Sequence, residues 1–305
     1  MPLLNLPSPT IVHHMAALDD SPAPPNSLAA IEACLEAGAA IVEVDVTALA
    51  KDDYLLVHGP QLESETSGRG LVGEATPEQA RALRLTVRGA ETAHRAALLS
   101  EVVQAFERHA GVSRLQLDFK NEVPFAGDEP LWRLIHLIEP LGQRVIVSTG
   151  ADWQLRKLRR LAPGLLLGFD VMHYIDWQPA DEVRNPRALP RRLGAYGYYD
   201  DHPIATKRIW SVPEYLLDRC ESLLGLVPDV SAFYIEHGLL AQSLADGFNW
   251  AAPLHARGVR LDAWTMDVGN AAAIANAKRL LAAGVDMFTT NTPRGLGQVL
   301  RAPPP

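Results

Sequence analysis

The sequence predicts an α/β protein folded as a single (β/α)8 TIM barrel. Three observations carry that prediction. Short apolar runs ending in polar residues alternate along the chain with longer amphipathic stretches. About eight such pairs fit within 305 residues, the size at which strict alternation closes a parallel sheet on itself. No Gly-rich phosphate loop follows the first strand, which disfavours an open doubly wound sheet.

The first strand is TIVHH, ending at His14. A helix follows in NSLAAIEACLEAG, with Asn26 or Ser27 as N-cap and Gly38 as its left-handed stop. AIVEVDV is the second strand and YLLVHG a further short one. TPEQARALRL opens on Thr76 as cap with Pro77 at the first helical position. LLSEVVQAFERHAG is a helix and RLQLDFK a strand. EPLWRLIHLIEPLG then leads into RVIVSTG, and DWQLRKLRRLAPG into LLLGFDV. SAFYIEH, VRLDAWTMD and VDMFTTN complete the strands, with helices NWAAPLHARG, NAAAIANAKRLLAAG and PRGLGQVLRA between and after them.

One segment breaks this rhythm. Residues about 171–215, after the fifth strand, are rich in aromatics, Pro and Arg, and far exceed a usual barrel loop. Either this insertion forms a lip whose Tyr174, Trp177, Tyr196, Tyr198, Tyr199 and Trp210 wall the substrate site, or it packs on itself at the surface. The chain reads as one domain, 1–305, with a tail at 302–305 expected to fray.

A net charge of −8 argues against a nucleic-acid surface, and no basic run could track a phosphate backbone. Cys34 and Cys220 have no zinc spacing and read as structural thiols. The N-terminus lacks the pattern of a signal peptide, and no apolar run reaches the ~18–20 residues of a membrane span, so the expected location is cytoplasmic.

Chemistry should collect at the C-terminal ends of the strands. Those ends carry His13 and His14, Glu43 and Asp45, His58, Asp118 and Lys120, Trp264 and Asp267, and Asn291. Glu43 and Asp45 stand two apart in a buried strand, so both project from one face. Burying two like charges there without a partner is costly, and a divalent cation would remove the cost. With Asp118 as third ligand the donors are all carboxylate oxygens, which select Mg²⁺ or Ca²⁺ over zinc.

The motifs IVHHM, PPNSLAAIEACLEAGAAIVEVDV, YLLVHG, LQLDFK, DAWTMD and AGVDMFTTNTP resemble, in order, those of glycerophosphodiester phosphodiesterases. The resemblance implies a (β/α)8 barrel, a metal held by Glu43, Asp45 and a later acid, and two catalytic histidines, His58 and either His13 or His14. Several positions depart from the family pattern. His-Arg-Gly becomes His13-His14-Met15, the acidic residue of Pro-Glu-Asn-Thr is missing from Pro24-Pro25-Asn26-Ser27, and Gly59 follows His58. These departures resemble the sphingomyelinase D-like branch of the superfamily, a pattern that favours His14 over His13.

The expected function is therefore a metal-dependent phosphodiesterase acting on a glycerophosphodiester or lysophospholipid-like small molecule. His14 and His58 would be catalytic, and His13, Lys120, Trp264, Asp267 and Asn291 would contact substrate. Two alternatives stand beside it: a lyase that forms a cyclic phosphate, and a barrel that binds a phosphoester without turnover.

Overall fold

The computed structural model describes residues 9–109, 111, 113–179 and 192–301. The expected tail at 302–305, and 180–191 of the insertion, lie outside the described residues. In chain order the elements are β1 (Thr10–His13), α1 (Leu28–Glu36), β2 (Ile41–Ala48), β3 (Tyr54–Leu55), α2 (Pro77–Arg81), β4 (Arg84–Val87) and β5 (Ala90–Arg95). Then come α3 (Leu99–Arg108), β6 (Arg114–Phe119), α4 (Glu129–Ile138), β7 (Val145–Thr149), α5 (Asp152–Leu161) and β8 (Leu166–Asp170). The remainder is α6 (Val212–Leu226), β9 (Ala232–Glu236), α7 (His237–Ala245), α8 (Ala251–His255), β10 (Arg260–Trp264), α9 (Ala271–Ala282), β11 (Met287–Thr290) and α10 (Pro293–Arg301).

The hydrogen-bonded strand order is β1-β11-β10-β9-β8-β7-β6-β2-β3, and β1 also pairs with β2. The chain is thus a closed (β/α)8 barrel, with β3 as an antiparallel addition on β2. YLLVHG is accordingly not one of the eight barrel strands. The described residues divide into two compact units, one within 11–167 and 290–294, the other within 9–10, 168–289 and 295–301. No helix among the described residues is long and apolar enough to cross a membrane.

In the first unit, every residue of β2 is buried. A parallel strand covered on both faces reads as a continuous apolar run, and IVEVDV keeps that character apart from its two acids. Ser27, not Asn26, caps α1, its hydroxyl accepting from the Ala30 N–H at 3.1 Å. Thr76 and Gln79 close a capping box on α2, but that helix stops at Arg81. Residues 84–95, which carry no clear strand signal in the sequence, form an antiparallel hairpin of β4 and β5 turned at Arg88 and Gly89, both with positive φ.

In the second unit, the insertion returns along α6, a helix also not anticipated. Its Ser211 and Glu214 form a capping box, with a proline in the first turn. Tyr196 stacks on Tyr215 of α6 at 4.1 Å, and the Tyr198 hydroxyl donates to Asp246 at 2.7 Å. Tyr174 packs edge-on against Phe169. Trp177 lines a cavity of about 680 Å³ within this unit, together with Glu236 and Trp264.

Candidate active site

Register brings the first unit's acids together. Asp45 of β2 pairs with Asp118 of β6, while Glu43 lies two residues earlier on the same face of β2. Ligand oxygens of Glu43, Asp45 and Asp118 all lie within 4.8 Å of one another. Glu43 is 2% exposed and Asp45 0%.

Lys120 closes the group. Its ammonium stands 3.0 Å from Asp45 Oδ1 and 2.6 Å from Asp118 Oδ2. Burial alone would lower the Lys120 pKa, but Asp118 and Asp45 reverse this and hold it above its ordinary value. Burial likewise opposes the Asp45 charge, yet Lys120, His58 and Asn26 together keep that carboxyl below its usual range. Glu43 goes the other way: burial, then the charges of Asp45 and Asp118, push it well above the ordinary carboxylate value.

Two backbone excursions serve these acids. Met15 has φ 50° and Ala16 φ 57°, and the Met15 N–H donates to Glu43 Oε2 at 2.6 Å. Asn26, also left-handed at φ 56°, donates from Nδ2 to Asp45 Oδ2 at 2.9 Å and accepts the Asp45 N–H at 3.2 Å. Asn26 therefore belongs to the site, although its sequence context suggested only a helix cap. Glu43 Oε1 remains buried with no hydrogen-bond partner among the described residues. Three carboxylates against one ammonium, with one oxygen unmatched and only oxygen donors, fit a hard divalent cation.

The adjacent histidines part company where β1 ends. His13 is 8% exposed and turns inward, with Nδ1 2.9 Å from the Ala17 carbonyl and 3.6 Å from Cys34 Sγ on α1. Burial lowers its pKa, against the opposing pull of the Ala17 carbonyl. His14 is half-buried, and its Nδ1 lies 2.9 Å from Asn291 Oδ1. The Asn291 amide oxygen can only accept, so Nδ1 is the donor in that contact. His58 is exposed, and its backbone N–H donates to Glu65 Oε2 at 2.6 Å. Glu65 was not singled out from the sequence, where it is one polar loop residue among many.

Trp264 and Asp267 belong to the second unit, the first at the end of β10 and the second just beyond it. Trp264 is half-buried, and its indole N–H has no hydrogen-bond partner among the described residues.

Residues 19–294 match the model of the glycerophosphoryl diester phosphodiesterase family. A glycerophosphodiester phosphodiesterase of Caldanaerobacter subterraneus subsp. tengcongensis is 29% identical over 155 residues, 49% of this chain and 62% of that protein. The chain thus spans less than two thirds of that curated relative. Among solved structures, a glycerophosphodiester phosphodiesterase from Parabacteroides distasonis superposes with a TM-score of 0.65 at 15% identity, covering 96% of this chain and 97% of the other. An Oleispira antarctica phosphodiesterase, in complex with the product sn-glycerol-3-phosphate, gives 0.63 at 17% identity, covering 96% and 97%. At such identities the structural likeness carries the fold, and the family match carries the assignment. The chain belongs to the glycerophosphoryl diester phosphodiesterase family.

Proposed function

We propose that this protein hydrolyses glycerophosphodiesters, with one divalent cation, Mg²⁺ or Ca²⁺, held by Glu43, Asp45 and Asp118. The single observation that carries this reading is the convergence of those carboxylates at a centre with a buried Glu43 oxygen left unmatched. A hard cation in that position supplies positive charge to phosphate oxygens. The chain's own groups do the rest. Lys120, ion-paired to two of the acids, offsets their charge and that of the diester. His14, oriented by Asn291, and His58 divide the proton transfers. One takes a proton from the attacking water as its oxygen bonds to phosphorus, and the other protonates the alcohol oxygen as the P–O bond breaks. Trp264 and Asp267 serve as substrate contacts, and His13 acts through packing at the foot of the β1 turn.

Phosphorus NMR on glycerophosphocholine in ¹⁸O-water tests this reading. The expected product is glycerol phosphate with one labelled oxygen. A cyclic phosphate without label would replace hydrolysis by intramolecular transfer, and absence of turnover with Mg²⁺ or Ca²⁺ present would reject the activity.

A further inference from the structure

The first unit holds a recess of about 260 Å³ beside these groups. Three of its lining residues are bonded directly to the candidate catalytic groups. Met15 donates to Glu43, Asn26 donates to Asp45, and Glu65 accepts from the His58 backbone. Pro24 and Pro25 before α1, and Leu85 and Val87 of β4, make most of the remaining wall apolar, with Ser64 and Thr86 adding a hydroxyl each. Arg88 stands at the hairpin turn with its side chain exposed, so water screens its charge.

Size and lining restrict what this recess accepts. Ligand pockets for drug-sized molecules run to ~300–1,000 Å³, so this one suits a small alcohol and not an acyl chain. A neutral polyol would lose hydrogen bonds to water against proline, leucine and valine. An alkylated ammonium would instead place its methyl groups on those walls and its charge against Glu65. Burial, together with the nearby Asp45 charge, raises the Glu65 pKa, so a cation beside it would relieve a desolvated carboxylate.

We propose that this recess takes the leaving alcohol and selects one carrying a substituted ammonium group, with Glu65 as the specificity-determining residue. The proposal rests on the diesterase reading above. It concerns which alcohol leaves, whereas the metal and the histidines concern how it leaves.

The test uses the purified full chain with Mg²⁺ and a matched pair of substrates. One is glycerophosphocholine; the other is its uncharged isostere, the glycerol phosphodiester of 3,3-dimethylbutanol. The wild type should prefer the choline diester by about tenfold or more in kcat/KM, since tenfold corresponds to one well-placed charge contact. Glu65→Gln should bring the ratio close to one, whatever it does to the absolute rates through His58. A wild type that treats both diesters alike, or a Glu65→Gln protein that keeps the preference, overturns the proposal. Val87→Trp, made on the exposed rim, gives a second reading should Glu65→Gln fail to fold. It should penalise the choline diester more than the small ethanol diester, and an equal penalty counts against the recess. Were the wild type to turn over none of these diesters, the diesterase reading would fail. Calorimetry with choline chloride would then decide: binding abolished by Glu65→Gln supports the recess, and no binding overturns it.

Discussion

Two groups of buried acids, one in each unit, differ in how they are compensated. In the second unit, Asp200 is 3% exposed and fully matched. Arg219 approaches it through Nε at 2.7 Å and Nη2 at 3.3 Å, and the Tyr215 hydroxyl donates at 2.6 Å. In the first unit, Glu43, Asp45 and Asp118 share one lysine, and a Glu43 oxygen has no hydrogen-bond partner among the described residues. Both arrangements bury charge. Of the two, the three-acid group leaves it undercompensated, and that surplus of negative charge is what the proposed cation would offset. Asp200 with Arg219 is an internal brace between the insertion and α6.

The largest effect expected from this contrast is loss of the cation. EDTA should abolish turnover and Mg²⁺ or Ca²⁺ restore it, and Glu43→Gln should lower kcat by ~10²–10³ or more. Full activity in chelator, or rescue by Zn²⁺ alone, would remove the basis for separating the two acid groups. Next in size is the split between the histidines. His14→Ala should reduce kcat by ~10²–10⁴, as expected for a lost acid or base. His13→Ala should leave kcat nearer the wild type while costing about 1–2 kcal/mol of stability, through its lost bond to Ala17. Steady-state kinetics alongside urea unfolding would check this, and the reverse pattern would reassign the pair.

The matched acid gives the third prediction. Arg219→Met strands a buried carboxylate and should destabilise the protein by about 3–5 kcal/mol, whereas Asp200→Leu combined with Arg219→Met should recover part of that loss. Equal unfolding midpoints for the single and double variants would contradict a compensated brace. A fourth, smaller effect comes from Asp262, a buried acid with neither lysine nor arginine bonded to it among the described residues. Burial raises its pKa from 3.8 to about 7, although the Thr289 hydroxyl donates to it at 2.9 Å. The folded chain therefore holds this proton more tightly than the unfolded one. Its stabilising contribution is complete below the unfolded value and fades as pH rises through about 7. Asp262→Asn should flatten that decline in Tm by a few degrees, and an unchanged slope would assign the decline to other groups.

Legibility followed the range of the interactions. The alternation of strands and helices identified the barrel because burial of a parallel strand needs a local apolar run. The i, i+2 spacing put Glu43 and Asp45 on one face by strand geometry alone. The hairpin at 84–95 went unmarked because its strands are largely exposed and carry little apolar alternation. A signal for α6 was present in Ser211, Pro213 and Glu214, a capping box with proline in the first turn, but the aromatic richness upstream masked it.

Local pattern was enough for the barrel, for the pairing of Glu43 with Asp45, and for the strand-end placement of His14, Asp118 and Lys120. Each follows from a handful of neighbouring residues. His58, by contrast, lies in the loop after β3 and not at the end of a barrel strand. What depends on distant partners came only with the packed chain. The β2–β6 register sets Asp118 beside Asp45, and Lys120 bridges them. The left-handed turn at Met15 and Ala16 delivers an N–H to Glu43, while His13 is drawn inward by Ala17 and Cys34 and His14 meets Asn291. Asn26 acquired its place only when its loop packed against β2, whereas Glu65 reaches the His58 backbone within one local loop that has no periodic signature. The side-chain pattern of a strand is periodic and can be read in advance, whereas the hydrogen bonds that orient an active site are made between segments whose separation only folding removes.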